Sequence, residues 1–284
     1  MGEKNMEIIE IIKDAFVFPS KNVKVLLIYI ILSIVAGAFA VMGPLLYMLG
    51  IVVPEYFLWG GLAGLIAVLI GWVMSGYMIS VIKSGIDLED EAPEFVWWDN
   101  FITGFNSFIV SIVYYVIPAF IVVLVGYLTN VVGNFMNVAR EIFTQVMDVY
   151  VMGTSTNVAM GAISQAMAGL ILSLTVTITV AVIVFVIFSF LQTMAEARLA
   201  NTDSLSEALN IFEAAKDIRR IGIGKVIAVI LLIFIIIGII NAILSTIYGY
   251  VPFLAILSVF VTPYLVFFTQ RAVGLLYSDI AYIF

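Results

Sequence analysis

The sequence predicts an all-α fold: a helical membrane bundle of about six transmembrane helices, arranged as three hairpins with interfacial amphipathic helices. Three observations carry that reading. Of the 284 residues, 64% are hydrophobic and only 11% charged, giving a mean hydropathy of +1.21. A soluble domain is roughly half apolar and a quarter charged, so a water-soluble fold is excluded. The apolar residues fall into six runs of spanning length, and the basic residues between those runs collect on one side.

A helix needs about 20 apolar residues to cross the hydrocarbon core. The runs are Val23–Met42, Phe57–Ile82, Phe108–Leu128, Met167–Met194, Val226–Ile247 and Phe253–Tyr277. In the fourth, Leu174 to Val180 alternates as a strand would. An isolated strand leaves its backbone unsatisfied in lipid, so this run is also read as a helix.

Each hairpin is entered through an amphipathic or aromatic segment. The first is Met6–Phe18, with Ile8, Ile9, Ile12 and Phe16 on one face and Glu7, Glu10, Lys13 and Asp14 mostly opposite; Pro19 and Ser20 are expected to end it. The second is Glu94–Phe108, rich in aromatics at Phe95, Trp97, Trp98, Phe101 and Phe105. The third opens at Ser204-Leu205-Ser206-Glu207, a capping-box pattern, and continues through Leu209, Phe212 and Ile218 to Arg220. Three such entries suggest a repeat within one membrane domain, with units 1–83, 84–194 and 195–284. On the other side, polar residues from Asn130 to Asp148 recur at helical spacing, which predicts an amphipathic interfacial helix over Val131–Val151.

Orientation follows from the loop lysines and arginines. Lys4, Lys13, Lys21, Lys24, Lys83, Arg198, Lys216, Arg219, Arg220, Lys225 and Arg271 lie on the N-terminal side, and Arg140 lies alone opposite. Eleven against one places both termini in the cytoplasm and the protein in the cell membrane as a multi-pass protein. Met1–Asn5 lacks the basic-then-apolar pattern of a cleaved signal.

Composition also bounds chemistry. A net charge of −7 argues against a nucleic-acid partner, which needs a basic patch. The absence of cysteine and histidine removes thiol chemistry and the commonest general base and transition-metal ligand. No catalytic, cofactor or metal residues are assigned, and no cofactor is expected. No Asp, Glu or His is read at mid-depth, and Glu196 is read as following the fourth span; on that basis proton coupling is not expected.

The remaining candidates each have two readings. Ala63, Ala67, Gly71 and Ser75 form a small-residue stripe beside the Gly60/Gly64 pair, and Ala162, Ala166, Gly169 and Ser173 form another. Such stripes let helix backbones approach closely, within the bundle or between copies, and Gly71 is expected at a close contact. Asn241 could line a solute path or make one interhelical hydrogen bond. Thr175, Thr177 and Thr179 can bond their own preceding carbonyls. Gln192 and Gln270 sit near helix ends, within reach of water. The acidic run Asp87, Glu89, Asp90, Glu91 offers carboxylates to a divalent cation but lacks EF-hand spacing, so a hydrated loop is the simpler reading. Arg271 lies inside the last run, as a functional charge or one that snorkels to the interface.

Several motifs resemble an uncharacterised family of polytopic membrane proteins, a domain of unknown function found mainly in archaea. They are Gly76-Tyr77-Met78-Ile79-Ser80-Val81-Ile82-Lys83, Ala92-Pro93-Glu94-Phe95 with Trp98, Ile102-Thr103-Gly104-Phe105, and Arg271-Ala272-Val273-Gly274-Leu275-Leu276-Tyr277. The Ser206-Glu207-Ala208-Leu209 entry is similar to bacterial relatives, including the membrane domain attached to some glycerophosphodiester phosphodiesterases. The resemblance implies no catalytic residue here, because the soluble catalytic domain of those enzymes is absent. The expected function is a non-enzymatic integral membrane protein that organises or supports membrane partners or lipids, with homo-oligomers possible. The alternative is a passive solute channel or transporter that is not proton-coupled.

Overall fold

Apolar runs of this length must satisfy their backbone groups internally, and the chain does so throughout with helices. The computed structural model describes residues 6–152 and 157–281. Its elements are α1 (Ile8–Lys21), α2 (Val23–Leu49), α3 (Glu55–Ile86), α4 (Trp97–Leu128), α5 (Val131–Met152), α6 (Asn157–Thr202), α7 (Leu205–Ala208), α8 (Ile211–Ile221), α9 (Ile223–Tyr250) and α10 (Ser258–Tyr277). A 3-10 stretch, Pro252–Leu257, leads into α10, and another, Ser278–Ile280, follows it. No strand occurs among the described residues. Six segments are long and apolar enough to cross a membrane: Val23–Leu49, Glu55–Ile86, Trp97–Leu128, Ile163–Thr202, Ile223–Tyr250 and Pro252–Ile280. The chain is thus an all-α helical bundle that fits a multi-pass membrane protein.

Four boundaries differ from expectation. The first helix includes Pro19 and Ser20 and ends one residue beyond them, at Lys21, where local bonds close it. Ser20 Oγ donates to the Val17 carbonyl at 2.7 Å, Asn22 Nδ2 donates to the Phe18 carbonyl at 3.0 Å, and the Asn22 amide donates to the Pro19 carbonyl. The aromatic segment expected as a separate entry helix instead forms the first turns of α4, which is continuous from Trp97. The fourth span does not stop at Met194: α6 runs on to Thr202, so Glu196 and Arg198 are helical residues inside it. The third entry segment, expected to run on from Ser204 to Arg220, divides into α7 and α8, with the Asn210 side chain capping α8. Ser204 caps α7 by accepting from the Glu207 amide, and Thr177 and Thr179 donate to the carbonyls of Ser173 and Thr175.

The chain divides into two compact units. The first takes in Met1–Ser111 and Leu191–Phe284. Its helices meet where glycines remove the Cβ. A Cβ on Gly60 would lie 2.8 Å from the Gly43 carbonyl oxygen, which brings α3 against α2. One on Gly76 would lie 1.7 Å from the Asn100 oxygen, and one on Gly104 1.7 Å from the Trp72 oxygen, which sets α3 against α4. One on Gly274 would lie 2.2 Å from the Ile82 oxygen, beside Gly85, which sets α10 against α3. Around these contacts Phe18, Leu26, Tyr29, Ile30, Tyr77, Met78, Val81 and Phe267 form a buried cluster.

The second unit, Ile112–Phe190, holds the rest of α4, α5 and most of α6. Asn130 adopts φ 55°, a left-handed conformation that asparagine tolerates better than most residues, at the turn from α4 into α5. Asn134 Nδ2 on α5 donates to the Gly169 carbonyl on α6 at 3.3 Å. The hydroxyls of Thr129 and Thr177 lie 3.1 Å apart, joining α4 to α6.

Candidate functional site

Arg271 is enclosed by the first unit and hydrogen-bonded within it. It is 1% exposed and ties three parts of the first unit together. Its Nε donates to Asp14 Oδ1 on α1 at 2.9 Å. Its Nη1 donates to the Ser84 carbonyl at the end of α3 at 2.9 Å and to the Glu89 carbonyl at 2.6 Å. The guanidinium carbon also lies 4.6 Å from the centre of the Phe18 ring, a cation–π contact. A planar fork of five donors suits such divergent acceptors, as a lysine would not.

The acidic run is ordered by the same arrangement. Besides Glu89, Asp90 offers its carbonyl to Asn22 Nδ2 at 3.4 Å, and the Ala92 amide donates to Asn22 Oδ1 at 2.8 Å. Tyr77 then donates to the Pro93 carbonyl at 3.0 Å and stacks on Phe95 with centroids 4.8 Å apart. Among the described residues no group of three or more His, Cys, Asp or Glu could hold a metal ion.

A second buried arginine escaped the sequence reading, which placed it in a loop. Arg198 is 3% exposed; its Nη1 donates to Asp217 Oδ2 at 2.8 Å and its Nη2 to Glu207 Oε2 at 2.9 Å. Asp217, on α8, is fully buried and also accepts from Tyr277 Oη at 2.8 Å and Arg220 Nη1 at 3.1 Å. These bonds join α6, α7, α8 and the end of α10. Lys225 at the start of α9 pairs with Asp279 in the same region. Glu213 sits on the exposed edge, where a hydrogen bond from Lys216, aided by the charges of Lys216, Arg198 and Arg220, lowers its pKa. The Ser/Glu capping pattern before α7 was the one local signal of this region.

Between the spans of the first unit lies a cavity of about 320 Å³. Glu196, Gln270, Ser75, Ser107, Gly71 and Tyr29 line it with Met74, Met78, Ile79 and Val266. Ser75 Oγ donates to Ser107 Oγ at 3.3 Å. Gln192 Nε2 donates to Glu196 Oε1 and to Ser111 Oγ, both at 3.1 Å. Glu196 precedes the end of α6 by six residues, about 9 Å at 1.5 Å per residue. Glu196, read from the sequence as following the fourth span, is thus inside that helix, near its C-terminal end. The Gln192/Glu196 spacing of four, one face of a helix, was the signal available for it.

The predicted stripes fare differently. Ala63 is buried, Ala67 is partly buried, and Ser75 makes the bond to Ser107. Gly71 makes no close contact: a Cβ there meets nothing within 4 Å, because the residue faces the cavity. The close approaches belong to Gly76 and Gly104 instead. In the second unit Ala166 and Gly169 line a cavity of about 420 Å³ with Asn134, Asn137, Glu141 and Gln165. Ser173 is buried there, and the side chain of Ala162 lies outside the described residues. Asn241 is exposed on α9.

The profile of the family described as "Protein of unknown function (DUF4013)" matches residues 59–249. No curated protein and no solved structure matches the chain.

Proposed function

The chain belongs to the DUF4013 family, and from that premise we propose that it is a non-enzymatic membrane protein that organises membrane partners or lipids. The observation that supports this best is the use of its buried charges. Arg271 and Arg198 are both spent on fastening α1, the 87–96 loop, α7 and α8 to the ends of the spans. Fixed in that way, α8 presents Phe212 outward, 81% exposed, and the first turn of α4, which follows the 87–96 loop, presents Trp98, 69% exposed, and Trp97, 59%. Aromatic residues of this kind anchor at membrane–water interfaces and dominate protein contacts.

In this reading the fastened face is cytoplasmic, both termini lie there, the membrane is the cell membrane, and the partners are lipids and membrane proteins, a second copy included. The affinity with archaeal polytopic proteins and with the membrane domain of glycerophosphodiester phosphodiesterases belongs to the same proposal. Purification in mild detergent, with mass spectrometry of co-purifying proteins and lipids, tests it. Specific species should be retained by the native chain and lost from Phe212→Asp or Trp98→Ala; identical profiles would reject the reading.

A second reading, passive solute transport without proton coupling, draws on the cavity beside Glu196. Vesicles carrying a pH-sensitive dye separate the cases. Solute flux with no pH change favours it, whereas solute-dependent proton uptake that disappears in Glu196→Gln rejects the passive mechanism.

A further inference from the structure

We propose that the Glu196 cavity is a binding site for an organic ammonium ion carrying an aliphatic tail. The inference goes beyond the scaffold reading and does not depend on it. Its first support is charge. Among the described residues Glu196 is the only carboxylate lining the cavity, and no lysine or arginine lines it. Four cations of the same unit are directed to other partners: Arg198 to Asp217 and Glu207, Arg271 to Asp14, Lys83 to Asp203 and Lys225 to Asp279. A carboxylate among apolar helices is costly unless it is paired and hydrogen-bonded, and the protein supplies it one amide donor, Gln192. A cationic ligand completes the pair.

The second support is the arrangement of acceptors. An alkylammonium has three N–H donors. Beside the carboxylate the cavity offers the hydroxyls of Ser75 and Ser107 and the side-chain oxygen of Gln270. Gln192 bridges Glu196 to Ser111, which holds the carboxylate in one position before any ligand arrives.

The third support is shape. A volume of about 320 Å³ is in the range of organic-ligand pockets and far exceeds a bare monovalent ion. A second cavity of about 290 Å³ shares Tyr29, Met74 and Val266 with the first and continues along Ile34, Val259 and Pro263; Ser33, Ser258 and Thr262 also line it, the two serine hydroxyls donating to the carbonyls of Tyr29 and Ala255. The shared wall makes one polar pole at Glu196 and one apolar pole beyond Met74. A molecule with a cationic head and an aliphatic tail matches both; a head that carries only negative charge would meet no lysine or arginine among the described lining residues.

The test uses the full chain in phosphatidylcholine nanodiscs, titrated with octylammonium, octanol, octanoate and methylammonium by calorimetry, with empty nanodiscs as the partitioning control. Octylammonium should show saturable binding above the control, at least about tenfold weaker in Glu196→Gln, as expected when one member of a close charge pair is removed. Met74→Trp, which fills the shared wall, should lose octylammonium and keep weak methylammonium binding. Equal binding of octanol and octylammonium by the native protein would overturn the proposal, and that comparison stands even if Glu196→Gln does not fold. Methylammonium binding as tightly as octylammonium would overturn the tail assignment. Repeating the titration in phosphatidylethanolamine nanodiscs identifies the source. Loss of octylammonium binding there assigns the site to an amine-headed lipid, and unchanged binding assigns it to a free amine.

Discussion

Asp14 on the first helix accepts a hydrogen bond at 2.9 Å from the guanidinium of Arg271 on the last, 257 residues away. Arg271 is almost fully enclosed, whereas the Asp14 side chain is 30% exposed. Removing the two partners should therefore have unequal consequences. Arg271→Met removes the donor to Asp14 and to the Glu89 carbonyl, and leaves the Ser84 carbonyl with the Glu89 amide alone. It is expected to cost about 3–5 kcal/mol, the range for breaking a buried pair from one side. Asp14→Asn keeps a polar group near water and should cost less, about 1–2 kcal/mol. Arg271→Lys should not rescue, because one ammonium cannot span the three acceptors. Thermal unfolding of the detergent-solubilised variants checks the order.

The second arginine gives a separate prediction. Tyr277→Phe removes one donor from the buried Asp217 while Arg198 and Arg220 remain. The expected loss is about 1.5–3 kcal/mol, the range for a hydrogen bond to a charged group. A variant as stable as the native chain would mean that water replaces the phenol.

Glu213 makes stability depend on pH in a definite direction. Its hydrogen bond from Lys216 lowers its pKa in the folded state, so the unfolded chain binds the proton more readily. The contribution is present above the ordinary glutamate value of about 4.3 and fades as pH falls through the lower folded value. Glu213→Gln should therefore lose less stability than the native chain on acidification below about pH 4. Parallel melting curves in that range for the two proteins would show that the Lys216 bond contributes nothing.

Glycine positions show how much was legible in the sequence. Hydropathy located all six spans, because backbone satisfaction in lipid leaves the chain few alternatives. It did not select which small residues touch. Gly71 and Gly76 are five residues apart, about 140° around the helix, and both fit a small-residue pattern; the choice depends on where α4 lies. The motifs Gly76–Lys83, Ile102–Phe105 and Arg271–Tyr277 contain Gly76, Gly104 and Gly274, which make contact, and Gly60 of the Gly60/Gly64 pair does so against α2. Arg271 was visible as an embedded charge, but Asp14 was not visible as its partner, since nothing local links them. Glu196 was missed because the apolar run ends before the helix does.

The same contrast is testable. Gly104→Ala places a Cβ 1.7 Å from the Trp72 oxygen, so backbones must separate. It should cost at least about 1–3 kcal/mol by analogy with overpacked soluble cores. Gly71→Ala meets nothing within 4 Å and should stay within about 0.5 kcal/mol of the native chain. Reversal of that order in thermal unfolding would remove the assignment of the α3–α4 contact.

The final prediction concerns orientation. The sequence reading sets eleven of the twelve lysines and arginines on the N-terminal side and Arg140, on α5, on the other, so the positive-inside rule predicts that the N-terminal side is cytoplasmic. Two exposed positions report the two sides: Phe212 on α8, 81% exposed, and Tyr150 on α5, 90% exposed. The native chain contains no cysteine, so a single introduced thiol carries the whole signal. In intact cells a membrane-impermeant maleimide should label Tyr150→Cys and spare Phe212→Cys, and permeabilisation should expose both. The two helices are joined to the spans by independent contacts, so one misfolded variant would not mimic the pattern. Labelling of Phe212→Cys from outside with Tyr150→Cys protected would invert the topology. It would also move the aromatic face of α8, and with it the proposed partners, to the other side of the membrane.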